Sequence, residues 1–437
     1  MKKLKVFMDG WWNDNLRTGL IVLLLLIVGG LIFARGYVEE PSDGIVKRTL
    51  IVLHSGEAPS PSGLLPMARA AELTMKDFPG LTVELQVIDL STGAPVTMDT
   101  LIAAGTPPDV YGDSMVRLSR YIVPEFAMKL DEYMDVSPYL YTEPLKRNGH
   151  TFALPSSGSA QGICLNLDLL AKAGYTVPDN WTLADFNEMC AAVKAYADKT
   201  GEEVYGTGLF AGNQSGDYLW MNWFAVFGVD LYSDNYTEST QVKGGDKVWE
   251  YFKYLKDKGY IPSNSAALTD DDYALMWSKG QFAATAFFTA WAPSYLKSAM
   301  EQGLIKEPHK YKFVAFPNGS PACTNWAGII GNKDTKYPAE TAAFIKYATD
   351  VVILNEQVKM GQVAYRNDLT AKANDPRVDE INEIVAKNGL YDLGVTNQWF
   401  AEVRAQGYPI LQSVLSGKMT PKEAAVAYTK AVNEIIQ

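Results

Sequence analysis

The chain has 437 residues, of which 47% are hydrophobic and 20% charged, a balance that excludes a disordered or fibrous protein and allows a large buried core. A formal charge of −11 argues against a phosphate-backbone partner, which needs clustered Lys and Arg, so nucleic acid is excluded as a ligand. Three cysteines, Cys164, Cys190 and Cys323, cannot form a disulfide framework, and their odd count leaves at least one unpaired.

The first element is an apolar run at 19–34, GLIVLLLLIVGGLIFA, which carries no charge over 16 residues and is preceded by Lys2, Lys3, Lys5 and Arg17. It reads as a membrane segment, short for a span of about 20 residues. The basic leader keeps the N-terminus cytoplasmic, and Trp11 and Trp12 suit a membrane interface. The alternative is a cleaved signal peptide, with Ala34, Arg35 and Gly36 near the cut. Either reading exports the remainder of the chain, and no cysteine near the run offers a lipid-attachment point.

After a linker ending at residue 44, TLIVLHS at 49–55 reads as a strand that breaks into a loop containing Gly56, Pro59, Pro61 and Gly63. Leu64, Ala68, Ala71 and Met75 then recur at helical spacing, Pro79 and Gly80 end that helix, and LTVELQVI at 81–88 alternates as a strand. A helix ending near Gly105 and strands at 109–111, 151–154 and 162–166 continue the pattern, and helices follow at 247–258 and 270–279. The repeated β-α-β order predicts open, mainly parallel α/β sheets covered on both faces, with ligands approaching the carboxyl ends of strands.

Motifs for catalysis are missing from this pattern. His54, His150 and His309 are the only histidines and none stands in a metalloprotease HExxH, no Gly-x-Ser-x-Gly elbow occurs, and Gly206 with Gly208 does not complete a dinucleotide fingerprint. Asp270, Asp271 and Asp272 begin a helix, where carboxylates suit the dipole. No enzyme, metal site or cofactor is expected.

Several segments in order resemble the family 1 extracellular solute-binding proteins of ATP-driven importers, the group that includes maltose- and other sugar-binding proteins. They are LIAAGTPPDVYGDS at 101–114, NGHTFALPSSGSAQGICLNLDLLAKAGY at 148–175, WTLADFNEMCAAVKA from Trp181, ALMWSKGQFAATAFFTAWAPSYL at 274–296, FVAFPNGSPACTNWAGIIGNKD at 313–334 and GQVAYRNDL from Gly361. The resemblance covers about residues 48–437 and departs only at the N-terminus. It implies a periplasmic-binding-protein-like fold, two α/β lobes joined by a hinge of several crossings and here preceded by a membrane helix. The crossings are expected at 154–159, 315–317 and 361–364, with lobe one at 45–155 plus 318–362 and lobe two at 156–317 plus 363–437. The implied function is capture of a small solute, a sugar or oligosaccharide, for an ABC permease and its ATPase; a tethered sensory receptor is the alternative.

A sugar offers apolar C–H faces edged by hydroxyls, so its site needs aromatic platforms together with carboxylates, amides and arginines. The resemblance places Trp291, Trp399 and Tyr218 at stacking positions, Tyr218 lying near Trp220 and Trp223, only one of which is expected to face solute. Loops after strands supply Ser55, Glu57 and Asp113, and Ser156 with Ser157 follows a strand directly. Asn325 and Trp326 in the third crossing region, and Arg366, complete the candidates, Arg366 having an ion pair between the lobes as its other reading.

Overall fold

The computed structural model describes residues 46–437 except 57–58, 89–93 and 289–290; the run at 19–34 and Glu57 lie outside the described residues. Among the described residues no helix is long and apolar enough to cross a membrane. Among the described residues the chain divides into a small unit, 46–48 with 79–82, and a large one within 49–78 and 83–437. In the small unit the Arg48 amide donates to the Gly80 carbonyl at 3.0 Å.

The first strands follow the sequence pattern closely: β1 (Arg48–His54), β2 (Leu81–Val87) and β3 (Val110–Ser114), with helices Pro66–Asp77 and Ala94–Ala103 between them. β1 and β3 pair in parallel, Val52 opposite Val110. The two short strands β4 (Lys146–Arg147) and β5 (His150–Thr151) pair only with each other. The remaining strands are β6 (Leu154–Asn166), β7 (Ala284–Phe288), β8 (Tyr311–Val314) and β9 (Thr324–Gly331). The sheet order is β2-β1-β3-β9-β6-β7, with β8 also on β6.

β9 runs antiparallel to β3 and β6, and β7 and β8 run antiparallel to β6, so the sheet is mixed where the β-α-β order predicts a mainly parallel one. Local order sets only the β1–β3 crossover. The partners of β6 and β9 come from distant parts of the chain, and no local pattern encodes their direction.

β6 is one strand of 13 residues where the sequence suggests two short ones. Residues Leu154 to Ala160 pair with β9, whereas Gln161 to Asn166 pair with β7 and β8. The run LPSSGSA hides it, because serines and a proline break the apolar alternation. A register shift between Pro155 and Ser157 absorbs the proline, which has no N–H to give to the ladder. Gly158 is required by crowding: a β-carbon there would collide with the Tyr365 hydroxyl and sit 2.8 Å from the Trp326 β-carbon.

Helix Asp246–Asp257 buries Val248, Tyr251, Phe252 and Leu255, the stripe expected from its spacing, and places Trp249 5.6 Å from Trp220. A second cluster around Trp277, Phe287, Phe313 and Tyr273 packs beneath β6 and β7 and encloses Cys164. All three cysteines are buried and unpaired.

Candidate binding site

A cavity of about 350 Å³ opens where β3, β9 and several helix starts converge. Trp291 begins one side of it, at the head of helix Ala292–Glu301, and is 40% exposed, unusual for so large an apolar ring. Its ring meets Tyr295 edge-on at 6.4 Å, and Tyr295 in turn meets Phe287 at 5.6 Å. Phe287 is stacked on Trp277 at 4.6 Å with 14° between the planes, so the aromatic wall continues into the core and is held rigid by it.

Tyr218 closes the other side from the short helix Asp217–Trp220, with the Arg404 guanidinium 4.8 Å above its ring. Arg404 comes from helix Phe400–Leu415 and binds Asp217 through Nε and Nη2, the latter at 2.9 Å. The Asp217 side chain has no exposed surface, and burial raises its carboxyl pKa although Arg404 pulls it down. Burial disfavours the Arg404 cation, but the charge and hydrogen bonds of Asp217, with a smaller contribution from Tyr218, together outweigh it and the pKa is raised.

A second ion pair lines the same cavity through Arg117. Asp113, at the end of β3 and equally inaccessible, receives Nε of Arg117 at 2.8 Å and also Nη2 of the same guanidinium. It further accepts from the Tyr111 hydroxyl at 2.7 Å and the Ser114 amide at 2.6 Å. Arg117 is 28% exposed and lines the cavity with Asn325, Ser114 and Ser215. Asp270 stands toward Tyr295, its Oδ1 taken by Asn213 Nδ2 at 2.7 Å.

A smaller cavity of about 270 Å³ adjoins the same strands and is lined by Ser55, Asp113, Ser156, Ser157, Gln357 and Gln362, among others. The two hollows share β3 and β9: Asn325 lines the first and Ala327, two residues along, lines the second. The candidates thus divide into Trp291, Tyr218 and Asn325 in the larger cavity and Ser55, Asp113 and Ser156 in the smaller.

The other described candidates stand elsewhere. Strand alternation turns Trp326 away from its neighbour Asn325, and its ring is buried flat against Tyr365, 6.0 Å away at 11°. Trp399 packs on Tyr232 at 5.0 Å and against Gly394 at the head of its helix. Arg366 binds Asp368 through two nitrogens, at 2.8 and 2.6 Å, and lies over Tyr139 at 4.8 Å. Sequence reasoning did not single out Arg117, Asp217 or Arg404. Arg117 carries a weak signal, four residues after Asp113; Arg404 is 187 residues from its partner and carries none. Among the described residues no cluster of three His, Cys, Asp or Glu side chains could hold a metal ion.

A mixed α/β sheet with one strand shared between two sets of partners carries, at its strand ends, an aromatic, donor-lined hollow with the form of a small-molecule site. The family described as bacterial extracellular solute-binding protein matches residues 58–351, two thirds of the chain, and the chain belongs to it. Membership implies an extracytoplasmic location. Among solved structures, the GacH receptor of Streptomyces glaucescens, studied unliganded and with acarbose, is similar over 90% of this chain and 99% of its own, with a TM-score of 0.68 and 16% identity. The sugar-binding protein MalE of Xanthomonas citri is similar over 89% and 97%, with a TM-score of 0.70 and 16% identity. These likenesses establish the periplasmic-binding-protein-like fold. Putative binding proteins of Brucella abortus and Brucella suis are 24% identical over 211 residues, 46% of this chain; the chain spans about half the length of the curated relatives it matches, 49%.

Proposed function

We propose that the chain is a non-catalytic receptor that traps a saccharide between two lobes and delivers it to the permease and ATPase of an ABC importer, held at the membrane by residues 19–34. The observation that carries this reading is the larger cavity, where aromatic planes at Trp291, Tyr295 and Tyr218 are edged by fixed hydrogen-bond donors. That is the chemistry a pyranose ring requires. The lobes run 45–155 plus 318–362 and 156–317 plus 363–437. In support, Ser114, Arg117 and Asn325 reach the cavity from the first lobe, and Tyr218, Trp291 and Arg404 reach it from the second. The change of partners along β6 between Ala160 and Gln161, next to the crossing expected at 154–159, supports a hinge in that stretch of the strand. A solute touching both sides favours the closed form by its differential affinity, and that form docks on the permease.

A thermal-shift screen of mono- and oligosaccharides tests the receptor. A ligand at 100 times its Kd adds about 2.7 kcal/mol to the folded state. Trp291→Ala removes the shift while leaving the unliganded protein folded, because the ring is largely outside the core; a shift that survives undiminished refutes the stacking role. Import is tested by solute uptake in cells lacking the chain.

A further inference from the structure

Resting on the receptor reading above, we infer that the solute is an acidic saccharide whose carboxylate, as in a uronate, is held by Arg117 and Arg404. The argument is one of hydrogen-bond capacity. A neutral sugar hydroxyl both donates and accepts, so a site for neutral sugars presents carboxylate acceptors alongside its donors. Here the two carboxylates nearest the arginines are withdrawn from the cavity. Asp113 already accepts four hydrogen bonds, from Tyr111, Ser114 and two nitrogens of Arg117. Asp217 accepts three, from the Tyr218 amide and two nitrogens of Arg404. Neither carboxylate has exposed surface.

The guanidinium groups remain available. Each is gripped through Nε and Nη2, which fixes its plane, and in each Nη1 makes no hydrogen bond to any described residue. Arg404 lies over the Tyr218 ring, and both arginines are close enough to Tyr218 to act on its hydroxyl electrostatically, so their charges converge at one end of the cavity. Each Arg–Asp pair is a dipole with its positive end at the cavity wall and its negative end buried behind it. A planar carboxylate matches the planar fork of donors, and partial exclusion of water strengthens the contact. Asp270 also lines the cavity, beside Tyr295 and with one oxygen taken by Asn213, where its carboxylate suits the hydroxyls of a sugar ring.

The test is calorimetric titration of the full chain with dimers of galacturonate, glucuronate and mannuronate, each beside the neutral dimer of the same linkage. At least one uronate dimer binds ten or more times tighter than its neutral counterpart, and Arg117→Gln collapses that ratio. Arg404→Lys, which leaves Asp217 a charged partner but removes the fork, also lowers it and serves if Arg117→Gln does not fold. Neutral dimers that bind as tightly as the uronates overturn the inference and leave the sugar receptor standing. A charged-to-neutral ratio unchanged in both variants overturns it too. If no saccharide binds, charged or neutral, the receptor reading and this inference fall together.

Discussion

Asp217 and Arg404 form an ion pair with the carboxylate fully inaccessible and the guanidinium 12% exposed. Removing one partner of such a pair leaves the other charge desolvated, which costs about 3–5 kcal/mol. Asp217→Ala therefore lowers unfolding free energy by that order in urea titrations, whereas Asp113→Ala costs less because Arg117 can turn to water. Equal losses in the two variants contradict this. The sequence pointed to the larger cavity only in part, and the reason lies in these side chains. Trp291 and Tyr218 stand in segments whose order resembles a family, so their positions could be carried over. Arg404 reads as one polar residue on an amphipathic helix, because its partner is distant in the chain. Asn325 and Trp326 are both candidates by sequence, although a strand sends neighbours to opposite faces and only one can meet a given solute.

Among elements, helix Asp246–Asp257 was legible in its apolar spacing at Val248, Tyr251, Phe252 and Leu255, whereas helix Pro66–Asp77 buries Met67, Ala70, Ala71 and Thr74 and leaves Ala68 and Met75 of its expected stripe exposed. β6 was not legible, since backbone pairing and not side-chain alternation defines its middle. Crowding at Gly158 gives a direct check on that middle. Gly158→Ala destabilises the protein by about 1–3 kcal/mol in thermal or urea unfolding. Tyr365→Phe, which deletes the colliding hydroxyl, recovers part of the loss; no recovery would place the strain elsewhere.

Helix Val351–Lys359 supplies an acid-sensitive contact of its own. Glu356 binds Lys359 and accepts from the Ser62 amide at 3.2 Å, and these hydrogen bonds depress its pKa from the usual 4.5 to about 2. A depressed carboxylate stabilises the fold above its unfolded pKa and loses that contribution as pH falls through its folded one. The stability difference between the wild type and Glu356→Gln is constant above about pH 4.5 and shrinks toward pH 2. A difference that does not change across this window shows that the carboxylate is not held as described.

At the scale of the molecule, strand direction was the least legible property. A β-α-β run predicts parallel neighbours, yet β9 enters between β3 and β6 from far along the chain and reverses the sense of the sheet. The periodic signal in a sequence reports burial and spacing but not which way a distant strand arrives. Two hollows on shared strands gather candidates that lie far apart in sequence, Ser55 with Ser156 and Tyr218 with Asn325.

The shared strand also governs how the protein comes apart. Because β6 belongs to both sets of partners, neither set can melt without stripping a hydrogen-bonded neighbour from the other. Differential scanning calorimetry of the unliganded protein will show one heat-absorption peak whose van't Hoff and calorimetric enthalpies agree, despite a chain long enough for several independent melting units. Two resolved peaks would mean that the strand yields at its middle before either side does.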